Sequence, residues 1–125
     1  MRGAFNLDVK LQSVGLENCF ISEITLAELE YGVENSNAAF QTIQRESLQK
    51  FTEVFEARTL PIRDCFSLYA QNRTRLRKSG LSISDFDLLI GCTALAHGII
   101  MVTENMSEFA RIDQIQLENW IFRSN

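Results

Sequence analysis

The stretch Ser84-Asp85-Phe86-Asp87-Leu88-Leu89-Ile90-Gly91-Cys92-Thr93-Ala94-Leu95-Ala96-His97-Gly98-Ile99-Ile100-Met101-Val102-Thr103 decides the fold. Ser84 is a helix-capping residue followed three positions later by an acid, so a helix opens there and runs to about Gly98. From Phe86 to Ala96 that helix is apolar on nearly every side, which predicts burial rather than one wetted face. The run 99–103 then reads as a strand that is apolar throughout, the pattern of a parallel strand covered on both faces.

Working outward, the same alternation recurs. Residues 19–23 predict a short buried strand, and Ser22 caps a helix to about Glu34. In 36–55, Phe40, Ile43, Ser47, Leu48, Phe51 and Phe55 fall at helical spacing. Residues 57–62 predict a strand ending at Pro61, 63–79 a helix stopped by Gly80, 105–110 a short helical turn, and 115–122 a last strand around Leu117 to Ile121. Strands alternating with helices predict one α/β domain over 1–125, with a central parallel sheet between helical layers.

Composition narrows the chemistry. The chain has 125 residues, 46% of them hydrophobic, which suffices for one core. A net charge of −4 argues against coating nucleic acid by bulk electrostatics, but leaves room for a local basic patch. No apolar run approaches the roughly 18 residues of a membrane span, and Met1 to Asp8 lacks the apolar stretch of a signal peptide. Cys19, Cys65 and Cys92 are far apart in apolar sequence, which predicts buried reduced thiols in a cytoplasmic protein. His97 is the sole histidine, so histidine-based zinc chemistry and Ser-His-Asp catalysis have little to work with; a capping or surface role is expected.

Three acidic positions need explanation. Glu28 falls beside Ile24 and Tyr31 on a helix with a second apolar face in Leu26, Leu29 and Val33, so it is expected to be buried. A buried carboxylate needs a partner: an arginine, or a metal. Asp87 opens the apolar helix as a cap, a ligand, or both, with Gly91 and Ala94 on its face admitting close approach of other backbone. Asp85 is expected to be exposed, and Glu23 and Glu30 to form a solvated stripe. After the strand at 99–103, Thr103, Asn105 and Glu108 offer oxygen where parallel α/β sheets gather their ligands. Oxygen donors without His or Cys suit Mg²⁺ or Mn²⁺. Arg73, Arg75, Arg77 and Lys78 cluster at a helix end, either complementing its dipole or binding RNA backbone.

The stretches Ser22–Gly32, Ser84–Ala94 and Val102–Ile112 resemble, in order, the second, third and fourth acidic motifs of PIN domains, especially VapC-type toxins, and Leu117–Trp120 is similar to their last strand. The resemblance runs from about residue 4 to the C-terminus. It implies a three-layer α/β/α fold and Mg²⁺- or Mn²⁺-dependent RNA cleavage, by a toxin of a type II toxin–antitoxin pair. It also implies homodimers and an inhibitory antitoxin partner. Carried over by position, Glu28, Asp87 and Asn105 match metal ligands, Glu108 matches a further acid, and Thr103 a supporting hydroxyl. The family's opening strand and its Asp-Thr-Asn-like motif have no counterpart here; Met1-Arg2-Gly3 resembles the link after them, and Asp8 is no substitute by position. On that reading the sheet ladder is interrupted and the metal site lacks one carboxylate. The chain is then expected to be weakly stable or to pair its open edges with a second copy, and to be weak or inactive as a nuclease. Two alternatives stay open: a non-catalytic module that binds the antitoxin or dimerises, and an unrelated α/β domain whose acids are caps and salt bridges.

Overall fold

The computed structural model describes residues 9–120. The readings placed on Met1–Asp8 and on Ile121 lie outside them. Among the described residues, α1 covers 9–14. There follow β1 (Ile21–Ser22), α2 (Glu23–Glu34), α3 (Ala38–Phe55), β2 (Thr59–Leu60), α4 (Phe66–Lys78), α5 (Asp85–Ala96), β3 (Met101–Val102), α6 (Met106–Phe109) and β4 (Leu117–Glu118). The α/β class and the parallel pairing hold: β1 runs parallel to β2, and β3 to β4.

The helix ends predicted at Ser22, Ser84 and Gly80 hold because local chemistry sets them, whereas each predicted strand is only two residues long. Ser22 Oγ accepts the Thr25 N–H at 3.2 Å, and Ser84 Oγ accepts the Asp87 N–H at 3.2 Å, each satisfying a donor that the first helical turn leaves open. At the end of α4 the Leu81 N–H donates to Leu76 O, with Gly80 at φ 72 reversing the chain.

The core lies between α4, α5 and the β3–β4 pair. Cys65, Leu76, Leu88, Cys92, Phe109 and Ile112 form it, with Met101, Ile115 and Leu117 packed against it. Cys65 and Cys92 are buried free thiols as expected, and burial pushes the Cys92 thiol up to about 12. Cys19 is only partly buried. His97 ends α5, its Nδ1 2.9 Å from Thr93 O and its Nε2 3.6 Å from Asp64.

Three expectations are corrected. The run 99–103 is a strand only over Met101–Val102, and Ile100 and Val102 are 46% and 41% exposed. Among the described residues β3 pairs with β4 alone, so one of its edges has no strand to cover it. The apolar stripe of α3 is buried only toward its C-terminal half, at Leu48 and Phe55, whereas Phe40 and Ile43 face solvent. Glu23 is not merely solvated: its carboxylate accepts the Ile62 N–H at 2.9 Å and ties α2 to the segment after β2. Glu30 and Glu34 meet Arg45 across the α2–α3 hairpin.

Candidate active site

Asp87 and Gly91 are one turn apart on α5, and that spacing builds the site. A Cβ on Gly91 would overlap Ile112 Cδ1 and lie 3.3 Å from Phe109 Cδ1. The bare glycine thus lets α6 and the turn after it settle onto α5, which brings Glu108 beside Asp87. The Asp87 carboxyl is held above the ordinary carboxylate range. Burial is the main cause, the charge of Glu108 and a hydrogen bond with it act in the same direction, and a Ser84 side-chain hydrogen bond opposes them.

The segment after β3 holds Glu108 in turn. Asn105 Nδ2 donates to Glu108 Oε2, and the Asn105 N–H donates to Thr103 Oγ1 at 3.0 Å. Thr103, Asn105, Glu108 and Asp87 therefore form one chain of contacts between the carboxyl end of β3 and the mouth of α5.

Glu28 does not join them by any contact. It is exposed, with no hydrogen bond or ion pair among the described residues. The helical wheel placed it between two buried faces, yet Val33 is the only fully buried residue of α2, and Leu29 and Tyr31 are 38% and 69% exposed. A solvated carboxylate needs no partner, so the argument for a buried ligand does not apply to it here. Among the described residues no three His, Cys, Asp or Glu side chains are grouped to hold a metal. The pair Asp87–Glu108 nonetheless fits a hard divalent cation: both donors are oxygen, and their mutual repulsion is what a cation would relieve.

The four basic residues separate. Arg75 donates to Asn72 Oδ1 at 3.0 Å and to Arg111 O, while Asn72, which is buried, also accepts the Asp113 N–H at 3.0 Å. Arg75 is thus a brace between α4 and the chain after α6. Arg73 lies over the Tyr69 ring at 5.9 Å, donates to Tyr69 Oη at 3.0 Å, and sits 3.5 Å from Asp85. Tyr69 Oη donates to Asp85 Oδ1 at 3.1 Å. Arg77 and Lys78 are exposed, and their side chains have no partner among the described residues. Asn72 and Tyr69 are not among the expected site residues; the spacing of Tyr69 and Arg73, one turn apart on α4, is the sequence signal for the second.

Comparison with known proteins agrees with this architecture. The PIN domain family model matches residues 5–115, and the chain belongs to that family. Ribonuclease VapC2 of Rickettsia felis is 41% identical over 104 residues, which are 80% of this chain and 72% of the relative. The tRNA(fMet)-specific endonuclease VapC of Salmonella typhimurium is 35% identical over 104 residues, 80% of this chain and 74% of that one. The crystal structure of VapBC2 from Rickettsia felis bound to a DNA fragment from their promoter superposes with a TM-score of 0.77 at 36% identity, covering 89% of this chain and 82% of that chain.

Proposed function

We propose that the chain is a metal-dependent endoribonuclease, the toxin of a type II toxin–antitoxin pair, which hydrolyses RNA phosphodiester bonds at the Asp87–Glu108 pair. The observation that carries this reading is that pair itself, two carboxylates in contact at the carboxyl end of β3 in a chain of the PIN family, with Asp87 held up by burial and by the charge of Glu108. The ribonuclease names of its relatives support it. Mg²⁺ or Mn²⁺, when bound, would activate water and offset charge on the phosphate. Asp87 and Glu108 would hold the cation, with the Asn105 amide oxygen as a further donor and Glu28 recruited only by a change in its exposed side chain. Ser84 steadies Asp87, Asn105 orients Glu108, and Thr103 fixes Asn105 through its backbone.

The same reading includes a cytoplasmic setting, a homodimer and an antitoxin partner; the VapBC2 complex supports the last. Among the described residues no helix is long and apolar enough to cross a membrane. The test is cleavage of a labelled RNA oligonucleotide with Mg²⁺ or Mn²⁺ added, and with the metal chelated. Cleavage that ignores chelation would sink the metal-dependent reading. One observation favours the second reading, a non-catalytic antitoxin-binding or dimerisation module: Glu28 stands in solvent without a partner among the described residues. An antitoxin-binding chain inert toward RNA in both metals would establish it.

For RNA backbone binding, Arg77 and Lys78 are the available charges, Arg73 is half-committed to Asp85, and Arg75 is committed to the fold. Arg77→Gln with Lys78→Gln is expected to weaken RNA binding and to flatten the log-affinity against log-salt slope by roughly 0.7 per lost phosphate contact. Arg75→Gln is expected to lower the thermal midpoint instead. Fluorescence anisotropy across a salt series, with melting curves for the same variants, separates the two outcomes.

A further inference from the structure

Phe86 is an aromatic ring in the wrong place for packing. It sits on the first turn of α5 and is 51% exposed, whereas Leu88, Gly91, Cys92, Thr93 and Ala94 of the same helix are buried. Its two neighbours in sequence are acids, one of the site and one outside it. Asp87 on one side meets Glu108. Asp85 on the other receives the Tyr69 hydroxyl and lies 3.5 Å from the Arg73 guanidinium. The first turn of α5 therefore carries an exposed apolar ring next in sequence both to an acid of the oxygen-donor pair and to the acid that holds the Arg73 guanidinium.

Those are the three things a nucleotide in single-stranded RNA uses: a face for its base, a cation-binding group at one phosphate, and a guanidinium for the next. Bases stack on aromatic side chains whatever their sequence, because every base has a π-face. We propose that Phe86 is the stacking platform for the nucleobase beside the scissile phosphate, with Arg73 serving the adjoining backbone phosphate. The proposal rests on the ribonuclease reading and deepens it by naming a residue that positions substrate. An apolar side chain of a protein partner would also cover the ring, but it has no use for the carboxylate pair one residue away.

The half-exposed ring makes the test clean, since its removal should leave the fold in place; melting curves check this. Phe86→Ala and Phe86→Trp are compared with the unchanged chain on an RNA oligonucleotide and on the same oligonucleotide carrying one abasic nucleotide beside the mapped cleavage site. Phe86→Ala is expected to lower kcat/KM on the intact RNA roughly ten-fold or more, the scale of one lost base stack, while Phe86→Trp preserves it. The abasic nucleotide should penalise the unchanged chain by a similar factor and Phe86→Ala hardly at all. Equal losses for Phe86→Ala on both RNAs would mean a merely structural role and overturn the proposal. Unchanged cleavage by Phe86→Ala would assign the ring to a protein interface and overturn it as well. If the unchanged chain cleaves no RNA in Mg²⁺ or Mn²⁺, the ribonuclease reading fails first and this one falls with it.

Discussion

Asp87→Asn is expected to lower metal-dependent RNA cleavage by about a thousand-fold or more while leaving the thermal midpoint at pH 7 unchanged or raised. The loss follows from the charge stabilisation a bound cation supplies, several kcal/mol, at about 1.36 kcal/mol per ten-fold in rate. The gain follows from linkage. Burial and Glu108 raise the Asp87 carboxyl above its value in an unfolded chain, so the folded protein binds the proton more tightly. That favours the fold at pH values below the unfolded-chain value, and the benefit disappears as pH rises through the folded value. At pH 7, in the absence of a cation, Asp87 is therefore a net cost, and a neutral amide of the same shape removes it. Denaturation from pH 3 to pH 7 should show Asp87→Asn gaining on the unchanged chain as pH rises. Retained cleavage would remove Asp87 from the chemistry; a lowered midpoint at pH 7 would refute the repulsion.

The same shift gives cleavage its expected pH dependence. A cation ligand acts as the carboxylate, so activity should climb with pH through the raised Asp87 titration, with the midpoint moving down as Mg²⁺ is added and competes with the proton. Glu108→Gln removes the charge that helps hold Asp87 up, and should shift the cation-free titration of Asp87 downward, as read by NMR of the carboxyl carbon.

Where a property was set within one turn of chain, the sequence was enough. Ser22 and Ser84 cap the helices assigned to them, and Gly80 stops α4, because each depends on a few adjacent backbone groups. Asp87 was legible for a related reason: an acid opening an otherwise apolar helix is costly wherever that helix packs. Glu28 shows where such reasoning ends. Its apolar neighbours measured how much surface α2 has to bury, and burial also needs something to bury it against; Leu29 and Tyr31 remain exposed. Arg75 shows the same limit for charge. Its place at a helix end suggested the dipole or RNA, but its partners Asn72 and Arg111 were fixed by how the chain after α6 crosses α4.

The dependence of the site on the core can be measured at Gly91 and Ile112. Ile112 is 1% exposed and its Cδ1 occupies the space a Gly91 side chain would need. Ile112→Ala is expected to cost about 2–5 kcal/mol of stability. Gly91→Ala should gain up to about 1 kcal/mol in helix propensity and lose about 1–3 kcal/mol to crowding. The double variant decides between packing and coincidence. With Ile112 shortened, the new methyl group enters the vacated space, so most of the crowding loss vanishes, leaving only the 3.3 Å approach to Phe109, while the propensity gain remains. The two changes should then fall short of additivity by roughly 1 kcal/mol or more in the stabilising direction, within the range seen for residues in contact. Additive losses in denaturant melts would mean that α6 is not seated on α5 through this contact. Activity supplies a second reading of the same pair. If Gly91 is what allows Glu108 to stand beside Asp87, Gly91→Ala should impair cleavage at temperatures well below its melting transition, and Ile112→Ala in the same chain should restore part of it.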